Sequence, residues 1–142
     1  SMRVHGRRSQ YDDAVSFLNQ RPPNVPPAHK NCLGLFENGS LIGVADVILH
    51  WPTADTAFIG LLQLDESAHG RGLARRFHEH LLERFPEPRR WRLNVVDSNS
   101  SATSFWERLG YHDTGDRREW TNPEGDRHSV IVMERAVPRT VD

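Results

Sequence analysis

Leu62-Gln63-Leu64-Asp65-Glu66-Ser67-Ala68-His69-Gly70-Arg71-Gly72-Leu73-Ala74 reads as an apolar strand that runs through a glycine-bearing turn into an amphipathic helix. The helix follows from the i, i+4 row Leu73, Phe77, Leu81 and Phe85, with Ala74 and Leu82 alongside and Arg75, Arg76, Glu79 and Glu83 on other faces. Pro86 and Pro88 end it. Upstream, residues 56–64 carry enough Phe, Ile and Leu to lie mid-sheet; downstream, Trp91, Leu93 and Val95 alternate with Arg92 and Asn94 as a further strand. A helix between two such strands makes a right-handed parallel crossover the default.

Working outward, residues 32–37 and 41–51 are apolar runs joined by Asn38-Gly39, a dipeptide suited to the positive φ angles of a tight hairpin turn. Residues 51–55 form a second turn. On the other side, the cap-rich Asp97-Ser98-Asn99-Ser100-Ser101 precedes Ala102, Phe105, Trp106 and Leu109 at helical spacing, with Gly110 placed to stop the helix. Residues 111–120 and 128–137 then read as a closing hairpin through Asn122-Pro123-Glu124-Gly125-Asp126. Near the start, residues 11–20 read as a short helix. Prolines at 22, 23, 26 and 27 make 21–29 a stiff surface loop, and a first strand is not evident. The expectation is an α/β (α+β) protein with a mixed, mostly antiparallel sheet of six or seven strands and a central βαβ crossover.

The chain has 142 residues, the length of one domain, here 2–142. Hydrophobic residues make up 37% of it, so a core is available but not a generous one. Eighteen basic residues against nineteen acidic leave a net charge of −1, which supplies no broad attraction to nucleic acid or an anionic membrane. Any anion site must be local. Lone Cys32 cannot form an intramolecular disulfide, and eight scattered histidines with one cysteine do not make a zinc framework. His78 and His80 point to different helix faces and make a poor metal pair. With no apolar run near the roughly 18 residues that span a bilayer, and none of signal-peptide type at the start, a cytoplasmic protein is expected.

The turn at 69–74 has the makings of an anion trap. The first N–H groups of a helix lack intrahelical partners and sit at the positive end of its dipole, and side-chain-free Gly70 and Gly72 let a phosphate approach them. Arg71, Arg75 and Arg76 add charge at the rim. Taken alone, the two glycines would equally serve a tight turn. A P-loop is excluded by the absence of lysine here, and a dinucleotide fingerprint by Arg75 where a third glycine belongs.

In His69-Gly70-Arg71-Gly72-Leu73-Ala74, however, the chain resembles the GCN5-related N-acetyltransferase (GNAT) family. The family's acyl-CoA signature is Gln or Arg, two residues, Gly, one residue, then Gly or Ala, and every position but the first matches. A second stretch agrees: Leu93-x-Val95, then Asn99, Ala102, Phe105-Trp106-Glu107-Arg108-Leu109-Gly110-Tyr111, similar to the family's strand, Asn-started helix and Leu-Gly-aromatic exit. The resemblance implies that amides at 69–74 hold the CoA pyrophosphate. It also implies that the strand edge at Leu62, Gln63 and Leu64 pairs with the pantetheine amides where the third and fourth predicted strands part. Asn99, and Trp106 on the same helix, would border the pantetheine arm; an ordinary N-cap is the alternative for Asn99. No metal is implied.

The implied reaction is direct attack of a primary amine on acetyl-CoA in a ternary complex, with a backbone N–H near Leu64 polarising the thioester oxygen. The amine would belong to a small molecule, a peptide or a protein, and the assembly would be a monomer or homodimer. A base must take the amine proton, and Asp46, His50, Asp55 and Glu119 are the candidates. Many family members carry Tyr four residues after the helix alanine as an acid for the departing thiolate; here Trp106 stands there, and indole cannot serve. That substitution motivates the alternative of a CoA-binding sensor or interaction module without turnover. A nucleotide-binding protein using the same helix start is a further rival.

Overall fold

The computed structural model describes residues 2–6 and 25–138. Within them lie seven strands and two α-helices: β1 (Met2–Gly6), β2 (Lys30–Glu37), β3 (Ser40–Leu49), β4 (Thr56–Leu64), α1 (Leu73–Arg84), β5 (Arg90–Val96), α2 (Ser100–Arg108), β6 (His112–Thr121) and β7 (Arg127–Ala136). The helix expected at 11–20 and residues 21–24 of the proline-rich loop lie outside the described residues. The end of that loop forms a single 3-10 turn, Pro27–His29. The chain divides into two units, residues 1–88 and 89–142.

The first unit is an antiparallel run β1-β2-β3-β4. The β2–β3 hairpin closes where expected, with Asn38 at φ 51° and Gly39 at φ 84°, the left-handed pair of a type I′ turn. β1 exists after all, pairing Met2 to Gly6 against Glu37 to Leu33. A five-residue segment with little alternation gives no strand signal of its own; the partner edge makes it one. β3 and β4 are both buried along much of their length, and α1 turns Leu73, Phe77, His78 and Leu81 inward while Arg75, Arg76 and Glu79 stay exposed. One glycine sets how closely these elements approach. A Cβ on Gly43 would lie 2.6 Å from Leu64 Cδ2, 3.1 Å from the Gln63 carbonyl oxygen and 3.4 Å from Phe77 Cε2, so a larger residue there would make the Leu64 side chain move and the β4 backbone give way slightly.

The second unit has β7 at its centre, antiparallel to β5 on one side and β6 on the other. Trp91, Leu93 and Val95 are buried on one face together with Met133, the register partner of Leu93, and Val130 and Val132 are buried on the other. Asp113 bonds both Arg117 guanidinium nitrogens (2.8 and 2.7 Å) and the Gly115 N–H (2.8 Å), pinning the irregularity where β6 loses register with β7.

Candidate functional site

Asp65 donates its N–H to the Ile42 carbonyl at 2.7 Å, which fixes the phase of β4 against β3. Peptide groups alternate sides along an antiparallel strand, so Gln63 faces β3 while Leu62 and Leu64 direct their N–H and C=O groups the other way. Further back, the register shifts between Asp46–Leu61 and Val47–Ile59, leaving Gly60 as a bulge that re-aims the tail of β4. Glycine in an otherwise branched, apolar strand is the sequence sign of such a bulge, and the motif reading passed over it.

Beyond Leu64 the chain makes a 3-10 turn, Glu66–Ala68, whose Ala68 is buried. Ser67 hydrogen-bonds the Asp65 carboxylate and holds that carboxyl below its ordinary range. His69, standing where the family pattern has Gln or Arg, donates from Nε2 to the Leu64 carbonyl at 3.1 Å and so ties the turn to the end of β4. Gly70 (φ 74°) and Gly72 (φ 71°) are both left-handed, and an added Cβ at either would meet nothing within 4 Å. Gly72 is the N-cap of α1 and contributes no side-chain cap, so no side chain of the turn satisfies the helix's leading amides there. The result is a twelve-residue helix whose positive end opens onto unfilled space. The side chains add less positive charge than the sequence suggests. Of the three arginines expected to add charge at the rim, Arg71 pairs with Glu37, while Arg75 and Arg76 are exposed; Asp65 and Glu66 are acidic. Leu73 is buried in the core and Ala74 half-buried beside it, so their side chains pack while their amides belong to the first turn.

The three candidate bases of the first unit, Asp46, His50 and Asp55, do not converge. Asp46 is 1% exposed, lies opposite Leu61 and sits at the bulge. His50, at φ 59°, donates from Nδ1 to the Ala54 carbonyl (2.7 Å) and packs edge-on against His29 with ring centres 4.9 Å apart. It lines a cavity of about 140 Å³ with Leu49, Ala54, Thr56, Glu87 and Pro88. Asp55 accepts from Thr53 Oγ1 (2.8 Å) and Thr56 Oγ1 (3.3 Å), a turn-holding role. Along β3, His50 is seven residues from Gly43, roughly 20 Å or more at strand rise, so His50 and Asp55 occupy the far end from α1's opening and Asp46 the middle. Glu119 is exposed on β6 opposite Ser129, in the other unit.

In that second unit, Asn99 caps α2: its Oδ1 accepts from Ala102 N–H (3.0 Å) and Ser101 Oγ (3.1 Å). Trp106 is 9% exposed and packs edge-on between Phe105 (5.0 Å) and Tyr111 (5.2 Å). Burial pushes the Tyr111 phenol well above its ordinary range, so it stays protonated. Among the described residues no group of three or more His, Cys, Asp or Glu could hold a metal ion, and no helix is long and apolar enough to cross a membrane.

Comparison with known proteins agrees with this geometry. Solved structures similar to the chain include the ribosomal-protein-S18-alanine N-acetyltransferase of Escherichia coli, with 19% identity and TM-score 0.73, covering 100% of this chain and 97% of that one. A GNAT family acetyltransferase of Elizabethkingia anophelis, solved with acetyl-CoA bound, has 10% identity and TM-score 0.73, with 96% and 98% covered. A Bacillus subtilis acetyltransferase in complex with CoA has 11% identity and TM-score 0.70, with 97% and 100% covered. At such identities the likeness is one of fold. No curated protein sequence matches. The family model described as Acetyltransferase (GNAT) family, however, matches residues 5–111, most of the chain and parts of both units. That match takes in the β4 tail, the double-glycine turn and α2, and by it the chain belongs to the GNAT acetyltransferase family.

Proposed function

We propose that this chain transfers an acetyl group from acetyl-CoA to a primary amine, of a small molecule or a peptide or protein, by direct attack within a ternary complex. The observation that carries the reading is the open, uncapped start of α1 behind two left-handed glycines, a backbone cradle with room for a diphosphate. In this reading amides at 69–74 grip the diphosphate, and the outward-directed peptide groups of Leu62 and Leu64 pair with the amide-bearing arm. The Leu64 N–H is the donor for oxygen charge developing during transfer. When bound, acetyl-CoA supplies an already activated thioester, so the chain's task is to hold, orient and move a proton. Of the candidate bases in the first unit, Asp46 lies nearest in register to Leu62 and Leu64, and we assign it the proton, directly or through water. The two units serve as one N-acetyltransferase domain in this reading, supported by the family match across both. A reducing, cytoplasmic setting fits lone Cys32.

Acetyl-CoA at roughly a hundred times its dissociation constant should stabilise the fold by about 2.7 kcal/mol, a rise in melting temperature on the order of 5–10 °C. A melt with and without ligand checks this, with ATP and NAD as controls; no rise with acetyl-CoA, or an equal rise with either control, counts against the reading. Thiol release across an amine panel then identifies the acceptor, and its absence with every amine favours the non-catalytic binding module.

Trp106→Phe tests the aromatic cluster. Packing alone predicts a melting temperature lower by a few degrees, from a loss of about 1–2 kcal/mol, and turnover within about tenfold of native. A far larger loss of turnover at unchanged stability would mean that the indole acts on the ligand.

A further inference from the structure

The turn between β4 and α1 is held unevenly. Its first half is tied by its own chain: Ala68 N–H donates to the Asp65 carbonyl (2.9 Å), His69 N–H to the Glu66 carbonyl (3.1 Å) and His69 Nε2 to the Leu64 carbonyl (3.1 Å). Its second half is Gly70-Arg71-Gly72, with both glycines left-handed and open space around each. Untethered, such a segment samples many conformations, and a ligand that needs its amides in one arrangement must meet the entropy of ordering them. The side-chain tether on this half is Arg71, whose guanidinium donates to the Glu37 carboxylate across 34 positions of sequence.

Glu37 is itself well placed to anchor. It closes β2, pairs in register with Ser40, and is followed at once by the type I′ turn of Asn38 and Gly39. An ordered hairpin end therefore grips the midpoint of the Gly70-Arg71-Gly72 stretch, where the two left-handed glycines supply no side chain of their own. Arg71 holds the Glu37 carboxyl below its ordinary range, so the carboxylate stays charged at neutral pH.

We propose that Glu37 is a positioning residue for the acyl donor: by holding Arg71 to the β2–β3 hairpin, it keeps the amides of residues 70–74 ordered before the diphosphate arrives. The proposal rests on the reading that this turn is the diphosphate site. It gives Arg71 a role opposite to that of a rim cation, since its charge is committed to the hairpin.

The test uses E37Q, R71Q and the double variant of the full chain, with coenzyme A as the calorimetric probe and hydrogen exchange of residues 70–74 measured without ligand. Ordering by the pair predicts faster exchange at 70–74 in E37Q, by about threefold or more, and CoA binding weaker by about three- to tenfold. R71Q and the double variant should match E37Q, because each removes the same tether. In turnover the loss should fall on KM for the acyl donor. Melting temperature should stay within about 2 °C, since the pair is solvent-accessible. Unchanged exchange at 70–74 in E37Q, CoA affinity equal to or tighter than native, or losses that add in the double variant would each overturn the proposal. Gly72→Asp separates the two levels. If it abolishes CoA binding while E37Q has no effect, the tether alone fails; if it too leaves affinity intact, the diphosphate site lies elsewhere and both fall.

Discussion

Gly72→Asp should abolish acetyl-CoA binding and leave the fold standing. Gly72 sits at φ 71°, ψ 13° as the N-cap of α1, and an added Cβ there meets nothing within 4 Å, so the side chain can be accommodated without displacing a neighbour. An L-residue in the left-handed region costs about 1–2 kcal/mol, less for Asp than for most, and a carboxylate at the positive end of a helix returns about 0.3–1 kcal/mol. The net change in stability is therefore small. Binding responds differently, because the new carboxylate fills with negative charge the space that a diphosphate must enter and competes for the same amides. Affinity should fall by about a hundredfold or more, and the ligand-induced rise in melting temperature should vanish. Gly72→Asn, equal in size and uncharged, should lose much less, which isolates charge from bulk. Calorimetry with acetyl-CoA on the two variants decides it, and an unchanged affinity for the Asp variant would remove the site from this turn.

The features legible from sequence are those whose cause is local. Asn38-Gly39 dictates its own turn, the apolar row from Leu73 dictates which face of α1 is buried, and Asn99 caps α2 because its side chain competes for its own backbone. What sequence could not supply depends on partners far along the chain. β1 is a strand because β2 offers it an edge. Arg71 reads as one of three rim arginines until the fold brings Glu37 to it, and His69 as a departure from the motif until its ring is found on the Leu64 carbonyl. The base candidates were indistinguishable as a list of acids and a histidine. Register separates those of the first unit, placing Asp46 at the bulge and His50 and Asp55 at the remote turn; Glu119 belongs to the second unit. The bulge itself had a sign, Gly60 inside a branched apolar run, that periodicity counting does not score.

Phe77→Ala should be the most destabilising single change in the first unit and should also weaken acyl-CoA binding. Phe77 is 0% exposed on the inner face of α1, and its ring edge lies 3.4 Å from where a Cβ of Gly43 would stand. The residues facing that ring are poorly able to fill the vacated volume, because one of them is a glycine and Leu64 is held by the β4 backbone it belongs to. Truncating a buried phenylalanine costs about 3–5 kcal/mol, and incomplete collapse puts this site toward the upper end. For a chain of 142 residues that corresponds to a fall in melting temperature on the order of 10–20 °C. The functional effect follows from the same contact. Phe77 presses α1 onto β3 and the tail of β4, and the amides proposed to hold the diphosphate are the first turn of that helix. Loosening the helix should therefore lower CoA affinity by about tenfold even well below the new melting temperature, where the chain is still folded. Phe77→Leu, which retains most of the volume, should recover most of both losses. A stability loss with fully native affinity would show that the start of α1 is held in place without this contact, by the turn and the β4 tail alone.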